Sequence, residues 1–121
     1  MAKKIMIVDD AMLMRNMLKN ILKKFDCSVC AETGSVEEVI SLYKSSAPDI
    51  VFMDLILDDE EQPAGLTLID NILSINKQAV IIVVSALNQQ KISEKAIEIG
   101  AAAYISKPFS EQKIKEVLLT L

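Results

Sequence analysis

The chain has no histidine. That absence removes the Ser-His-Asp and Cys-His nucleophile systems, the commonest metal ligand and the usual pH switch. It also means that the protein carries no phosphohistidine of its own. No apolar run approaches the roughly 18 residues that mark a membrane-spanning helix. The start, Met1-Ala2-Lys3-Lys4-Ile5, enters a strand directly and lacks the apolar stretch of a secretory signal. An excess of positive charge is missing too: 13 Lys and Arg against 17 Asp and Glu give a formal net charge of −4, which argues against nucleic-acid binding as the main activity. The expectation is a cytoplasmic protein with no membrane and no nucleic-acid partner. Cysteine is scarce, with Cys27 and Cys30 forming one Cys-x-x-Cys. Redox pairs of this spacing open a helix, whereas this pair lies in or just before a strand, where an offset of three sends side chains to opposite faces. Without histidine or a second cysteine pair, one chain cannot complete a closed zinc shell.

What is present is a single-domain length of 121 residues, 51% of them apolar, enough for one continuous core. Five apolar runs recur: Ile5–Val8, Ser28–Ala31, Ile50–Met53, Val80–Val84 and Ala102–Ile105. Helical patterns alternate with them. Met14, Met17, Leu18, Ile21, Leu22 and Phe25 form one stripe at helical spacing. Ser35 with Glu38 three residues on has the form of a capping box, followed by Val39, Ile40 and Tyr43 and stopped by Pro48. Leu66, Ile69, Ile72 and Leu73 mark a third helix. Ile92, Ala96, Ile97 and Ile99 mark a fourth, ending at Gly100. Ser110 is an N-cap for a fifth carrying Ile114, Val117, Leu118 and Leu121, with Lys113 and Glu116 outward. The first, third and fourth strands are apolar throughout rather than alternating, which predicts a parallel sheet covered by helices on both faces. One domain spanning 1–121 with no output domain is expected.

Polar residues stand where the runs end: Asp9-Asp10 after the first, Asp54 after the third, Ser85 after the fourth and Lys107-Pro108 after the fifth. Taken singly, each has an ordinary explanation. Asp9 and Asp10 suit a turn or an N-cap, Asp54 a turn start, Ser85 a loop and Lys107 the solvated surface. Together they fall where doubly wound sheets build sites, outside the carboxyl ends of the strands at the reversal of strand order. If the order is 2-1-3-4-5, the reversal lies between the strands that end in Asp9-Asp10 and Asp54. Three clustered carboxylates stay ionised only beside a cation, and hard oxygen ligands suit Mg2+. A carboxylate can be a nucleophile that forms an aspartyl-phosphate. Lysine, hydroxyl and metal then stabilise the oxygens of the transferred group.

These residues resemble response-regulator receiver domains over essentially the whole chain. The matching pieces are Ile7-Val8-Asp9-Asp10, Pro48-Asp49 through Asp54, Val84-Ser85-Ala86, Gly100-Ala101 and Lys107-Pro108-Phe109. Within the family, Asp10-Ala11 with Met14-Arg15 and Met17-Leu18, and Ser85-Ala86-Leu87 with Gln89-Gln90, are similar to single-domain CheY-like chemotaxis regulators. The resemblance implies a flavodoxin-like (βα)5 fold, and the order 2-1-3-4-5 is a known property of that family rather than a deduction from this chain. It implies that Asp54 accepts a phosphoryl group from a histidine kinase or phosphotransfer domain. Asp10, Asp54 and the backbone carbonyl of Ile56 would ligate Mg2+, with Asp9 helping through water. Lys107 would contact the phosphoryl oxygens and Ser85 would hydrogen-bond them. Tyr104 would change rotamer, altering the fourth helix, fifth strand and fifth helix. The Lys107-Pro108 bond is expected to be cis. Such a protein is a phosphoacceptor that catalyses its own phosphorylation and dephosphorylation, not a turnover enzyme. Its expected partners are the phosphoryl donor, an output protein such as a flagellar motor component, and a phosphatase. The alternatives are a phosphorelay intermediate, an unphosphorylated scaffold and an aspartate-nucleophile phosphatase. Phosphatases of that kind usually place a second Asp where this chain has Ile56, and the intact Asp10, Asp54, Ser85 and Lys107 set opposes the scaffold.

The chain departs from the family after Asp54. Family members have a short loop with Met-Pro and then Gly; here Leu55 to Gly65 is about three residues longer, in line with the usual uncertainty of element boundaries, and carries Asp58-Asp59-Glu60-Glu61. The acids read as a solvated loop, with added negative potential beside the metal site as the sharper alternative. Ile56 and Leu87 occupy positions that flank the phosphoryl group in this family, and neither apolar side chain can orient an attacking water. Slow self-dephosphorylation is expected. Replacing both with polar residues should speed loss of the phosphoryl group, measured as decay of phosphorylated protein after the donor is removed; an unchanged lifetime contradicts it.

Overall fold

The structure is a computed structural model, and it describes residues 3–57, 64–86 and 90–121. The acidic segment Asp58–Glu61 and Leu87 lie outside the described residues. Five strands, β1 (Lys3–Val8), β2 (Cys27–Thr33), β3 (Ile50–Asp54), β4 (Val80–Ala86) and β5 (Ala103–Lys107), alternate with five helices, α1 (Met12–Leu22), α2 (Val39–Ser46), α3 (Ala64–Ile75), α4 (Gln90–Ile99) and α5 (Glu111–Leu119). All strands pair in parallel in the order β2-β1-β3-β4-β5. This is the expected doubly wound α/β sheet.

The unbroken apolar strands follow from burial on both faces. Met6, Val8, Val51, Met53, Ile81 and Val83 pack toward the residues of α2, α3 and α4. Their neighbours Ile5, Ile7, Ile50, Phe52, Ile82 and Val84 pack toward α1 and α5. Every residue of β3 is buried, so the strand that carries Asp54 has no solvated face along which its register can slip.

Several local expectations are corrected. The Ser35–Glu38 capping box does not form: Ser35 makes no side-chain cap bond, and Val36–Glu38 is a 3₁₀ turn leading into α2. The Glu38 carboxylate instead accepts from the Thr33 hydroxyl at 2.9 Å, and the Thr33 Oγ1 in turn accepts the Ser35 N–H at 3.0 Å. The apolar stripe of α1 is narrower than its spacing suggests. Leu18 and Leu22 are buried, Met17 is exposed, and the last turn tightens into a 3₁₀ turn at Lys23–Phe25 closed by left-handed Asp26. Ile97 and Leu121 also face outward. The Ser110 cap holds, accepting the Lys113 N–H at 3.1 Å. The cysteines are parted by a bulge in β2, where Val29 pairs with Ile5 and Ala31 with Met6, so that Cys30 is the extra residue. Cys27 is buried, Cys30 is exposed, and both are free thiols.

Gly65, at the start of α3, sits against the end of β3. A Cβ there would lie 2.6 Å from Leu55 Cα and 2.8 Å from the Asp54 carbonyl oxygen. Both are backbone atoms that cannot swing aside, so only glycine lets the helix close onto the strand. Gly65→Ala should lower stability by about 1–3 kcal/mol, the usual cost of forcing atoms into a filled interior. The denaturant midpoint would fall with an unchanged slope; an unshifted midpoint would show that the contact relaxes freely.

Candidate functional site

The carboxyl ends of β1, β3 and β5 bring four charged side chains together. One carboxylate oxygen from each of Asp9, Asp10 and Asp54 lies within 4.8 Å of the others. Asp9 and Asp54 are buried, and Asp10 is exposed. From the end of β5, Lys107 reaches back across the site. Its Nζ donates to Asp9 Oδ2 at 3.0 Å and to Asp54 Oδ2 at 3.2 Å. Backbone amides fix the opposite oxygens: Ala11 N–H donates to Asp9 Oδ1 at 2.9 Å and Ile56 N–H to Asp54 Oδ1 at 3.2 Å. Both carboxylates are thereby oriented from two sides. The Lys107-Pro108 bond is cis.

The electrostatics follow from this crowding. Burial pushes the Asp54 carboxyl above its ordinary value and the Asp9 charge adds to that push, while Lys107 and the Ile56 amide oppose it. Burial acts to lower the Lys107 ammonium, but the charges of Asp54 and Asp9 outweigh it and the net shift is upward. Lys107 therefore stays charged beside a carboxylate whose ionisation is costly. Three acids against one lysine leave the cluster with excess negative charge. An all-oxygen donor set of this size fits a hard divalent cation, and Mg2+ in particular takes one or two carboxylates and keeps several waters. Asp10, exposed at the mouth, leaves that approach open.

Of the residues anticipated from the sequence, Asp9, Asp10, Asp54 and Lys107 converge. Ser85 is buried at the end of β4, with its hydroxyl turned toward α4, 2.6 Å from Ser93 Oγ. Tyr104 stands outward at 37% exposure. It borders a surface groove shared with Ile97, Phe109 and Lys113. Two features were not anticipated. Arg15 Nη1 donates to the Asp9 carbonyl at 2.7 Å while its Nε pairs with Glu32 at 2.9 Å, and Lys19 joins Glu32 at 2.6 Å. These bonds tie the β1–α1 turn to the edge strand, and Arg15 with Lys19 at helical spacing was the available signal. Gly34 completes the brace, since a Cβ there would lie 2.8 Å from Asp10 Cα. Ser93 is the other: it lies on the buried stripe three residues before Ala96, and a small polar residue in that phase was the clue.

The family model described as response regulator receiver domain matches residues 5–119. A Chemotaxis protein CheY of Thermotoga maritima is 40% identical over 98% of this chain and 96% of its own. Another of Bacillus subtilis is 39% identical with the same coverage. A crystal structure of the CheX-CheY-BeF3-Mg+2 complex from Borrelia burgdorferi superposes with a TM-score of 0.87 at 25% identity, covering 98% of this chain and 87% of that one.

The crowding of Asp54 generates a prediction. Because its surroundings disfavour the charged carboxylate, Asp54→Asn should raise the melting temperature at neutral pH without divalent ions. Mg2+ at about a hundred times its dissociation constant should then stabilise the unsubstituted protein by ~2.7 kcal/mol and the variant by much less. Thermal melts with and without Mg2+ check both; equal Mg2+ shifts would exclude Asp54 as a ligand. The four converging side chains and the matched fold lead to one conclusion: this chain belongs to the response-regulator receiver family.

Proposed function

We propose that the chain is a phosphorylation-activated switch of a two-component system, with Asp54 as the phosphoryl acceptor. The observation that carries this reading is the Asp54 carboxylate held by Lys107 at 3.2 Å with two further carboxylates within 4.8 Å. Asp9 and Asp10 with Asp54 and the Ile56 carbonyl would hold Mg2+. The ion supplies neutralisation of the charge on the transferred group's oxygens.

The residues of the chain do the rest. An Asp54 oxygen attacks phosphorus as the nitrogen–phosphorus bond of a donor phosphohistidine breaks, leaving a neutral imidazole on the donor. The Asp54 Oδ1 bond to Ile56 N–H keeps the carboxylate aimed during attack. Lys107, already charged and within reach, follows the phosphoryl oxygens as they form on Asp54. Ser85 supplies a hydroxyl proton to one of them. Positioning and charge do nearly all the work in phosphoryl transfer, which suits a site built from four side chains at rigid strand ends. Tyr104 turns inward as Ser85 moves, and the face formed by α4, β5 and α5 changes. The groove along that face, with Tyr104 on its rim, supports it as the output surface.

Relatives that are chemotaxis proteins, similar over nearly their full length, support a chemotactic role. The partners would be a histidine kinase or phosphotransfer domain as donor and a motor or other chemotaxis component as output. The chain acts by changing contacts rather than by turning over a substrate. A relay role is the second reading. It is favoured by apolar Ile56 beside Asp54, which suits a long-lived phosphoryl group.

The test is intact mass after incubation with Mg2+ and acetyl phosphate, beside Asp54→Asn. A gain of one phosphoryl group in the unsubstituted protein, absent in the variant, is expected. Equal gain in both would move the acceptor elsewhere, and no gain with Mg2+ bound and a protein phosphodonor supplied would overturn the reading.

A further inference from the structure

The buried face of α4 consists of Ser93 and Ala96. Ser93 is fully buried, where alanine or valine would pack without a polar atom to satisfy. Burying a hydroxyl is costly unless it is bonded. Its oxygen lies 2.6 Å from Ser85 Oγ, a short contact between two buried hydroxyls. Ser85 is next to Val84, the residue that pairs across the sheet with Asp54. The same hydroxyl expected to serve a phosphoryl group is therefore engaged with a helix.

We propose that Ser93 is a positioning residue that holds Ser85 in its resting orientation and ties the seating of α4 to the state of Asp54. This rests on the reading that Asp54 is phosphorylated. Either hydroxyl can be the donor in this pair, and in both cases the contact holds the Ser85 Oγ on the α4 side. Turning that oxygen toward a phosphoryl group on Asp54 draws it away from Ser93 and weakens the contact. The resting state is stabilised by that bond, and activation works against it. Coupling of this kind is reciprocal. A partner that binds a displaced α4 releases Ser85 and so favours the phosphorylated form, while a partner that clamps α4 opposes it.

The test is beryllofluoride binding in the presence of Mg2+, titrated by fluorine NMR, on the full chain and on Ser93→Ala, Ser93→Cys, Ser85→Ala and the Ser85→Ala/Ser93→Ala double variant. Ser93→Ala is expected to bind roughly three- to tenfold more tightly, the shift that loss of one net hydrogen bond in the resting state permits. Ser93→Cys, similar in volume but a poor donor, should tighten binding in the same direction. In the Ser85→Ala background the Ser93 change should lose most of its effect on beryllofluoride affinity, because the Ser85–Ser93 bond is already gone. A lower melting temperature for Ser93→Ala with unchanged or weaker beryllofluoride affinity would reduce Ser93 to a structural role and overturn the proposal. Failure of the unsubstituted chain to bind beryllofluoride is a separate result that overturns the functional reading, so the two failures are told apart by the parent titration.

Discussion

Three carboxylates crowd the carboxyl ends of two adjacent parallel strands, and Lys107 holds two of them in place. This is the constraint on which the site depends. Like charges at this separation repel, and burial of Asp9 and Asp54 denies them water. The Asp9 and Asp54 carboxylates are held by one ammonium group and two backbone amides. Such an arrangement suits a hard divalent cation, which meets an incompletely neutralised set of oxygens. Lys107 contributes twice: it makes the resting cluster tolerable, and it stands within reach of the atom that would be phosphorylated.

Precision at the site comes from elements that touch no ligand. The central strands are packed on both faces, so their ends cannot shift without repacking two layers of core. The turn after β1 is pinned by Arg15, whose guanidinium joins the Asp9 carbonyl to Glu32 of β2. Gly34 and Gly65 allow neighbouring backbone to approach where a methyl group would collide. Acidic side chains that repel one another need this stiffness, since a flexible loop would relieve the repulsion by letting them part.

Asp54 and the surface formed by α4 and β5 are connected through β4. Asp54 pairs in register with Val84, and Ser85 follows with its hydroxyl on Ser93. Beyond lies β5, with Tyr104 outward and paired with Val83. A change at Asp54 need travel only one strand to reach α4 and two to reach Tyr104. These are the contacts through which the proposed change at Asp54 would reach the surface.

The period of the apolar residues determined much of this. Runs apolar throughout, each followed by a helical stripe, sufficed for a parallel sheet between two helical layers, because only burial on both faces removes alternation from a strand. Asp9, Asp10, Asp54 and Lys107 were legible for the same reason: a charged residue ending such a run must emerge at the strand's carboxyl edge. Tertiary structure decided what spacing does not encode. Ser35 and Glu38 have capping-box spacing, yet Thr33 captured the glutamate because β2 delivers its hydroxyl there. Met17 fits the α1 stripe, yet the contact with the sheet is too narrow to cover it. Ser93 stands in the buried phase of α4, but its partner was set only when α4 settled on β4 and faced it with Ser85. Periodicity reports which side of an element is buried; the partner of a buried polar atom is set by residues distant in the chain, and only packing brings them within hydrogen-bonding distance.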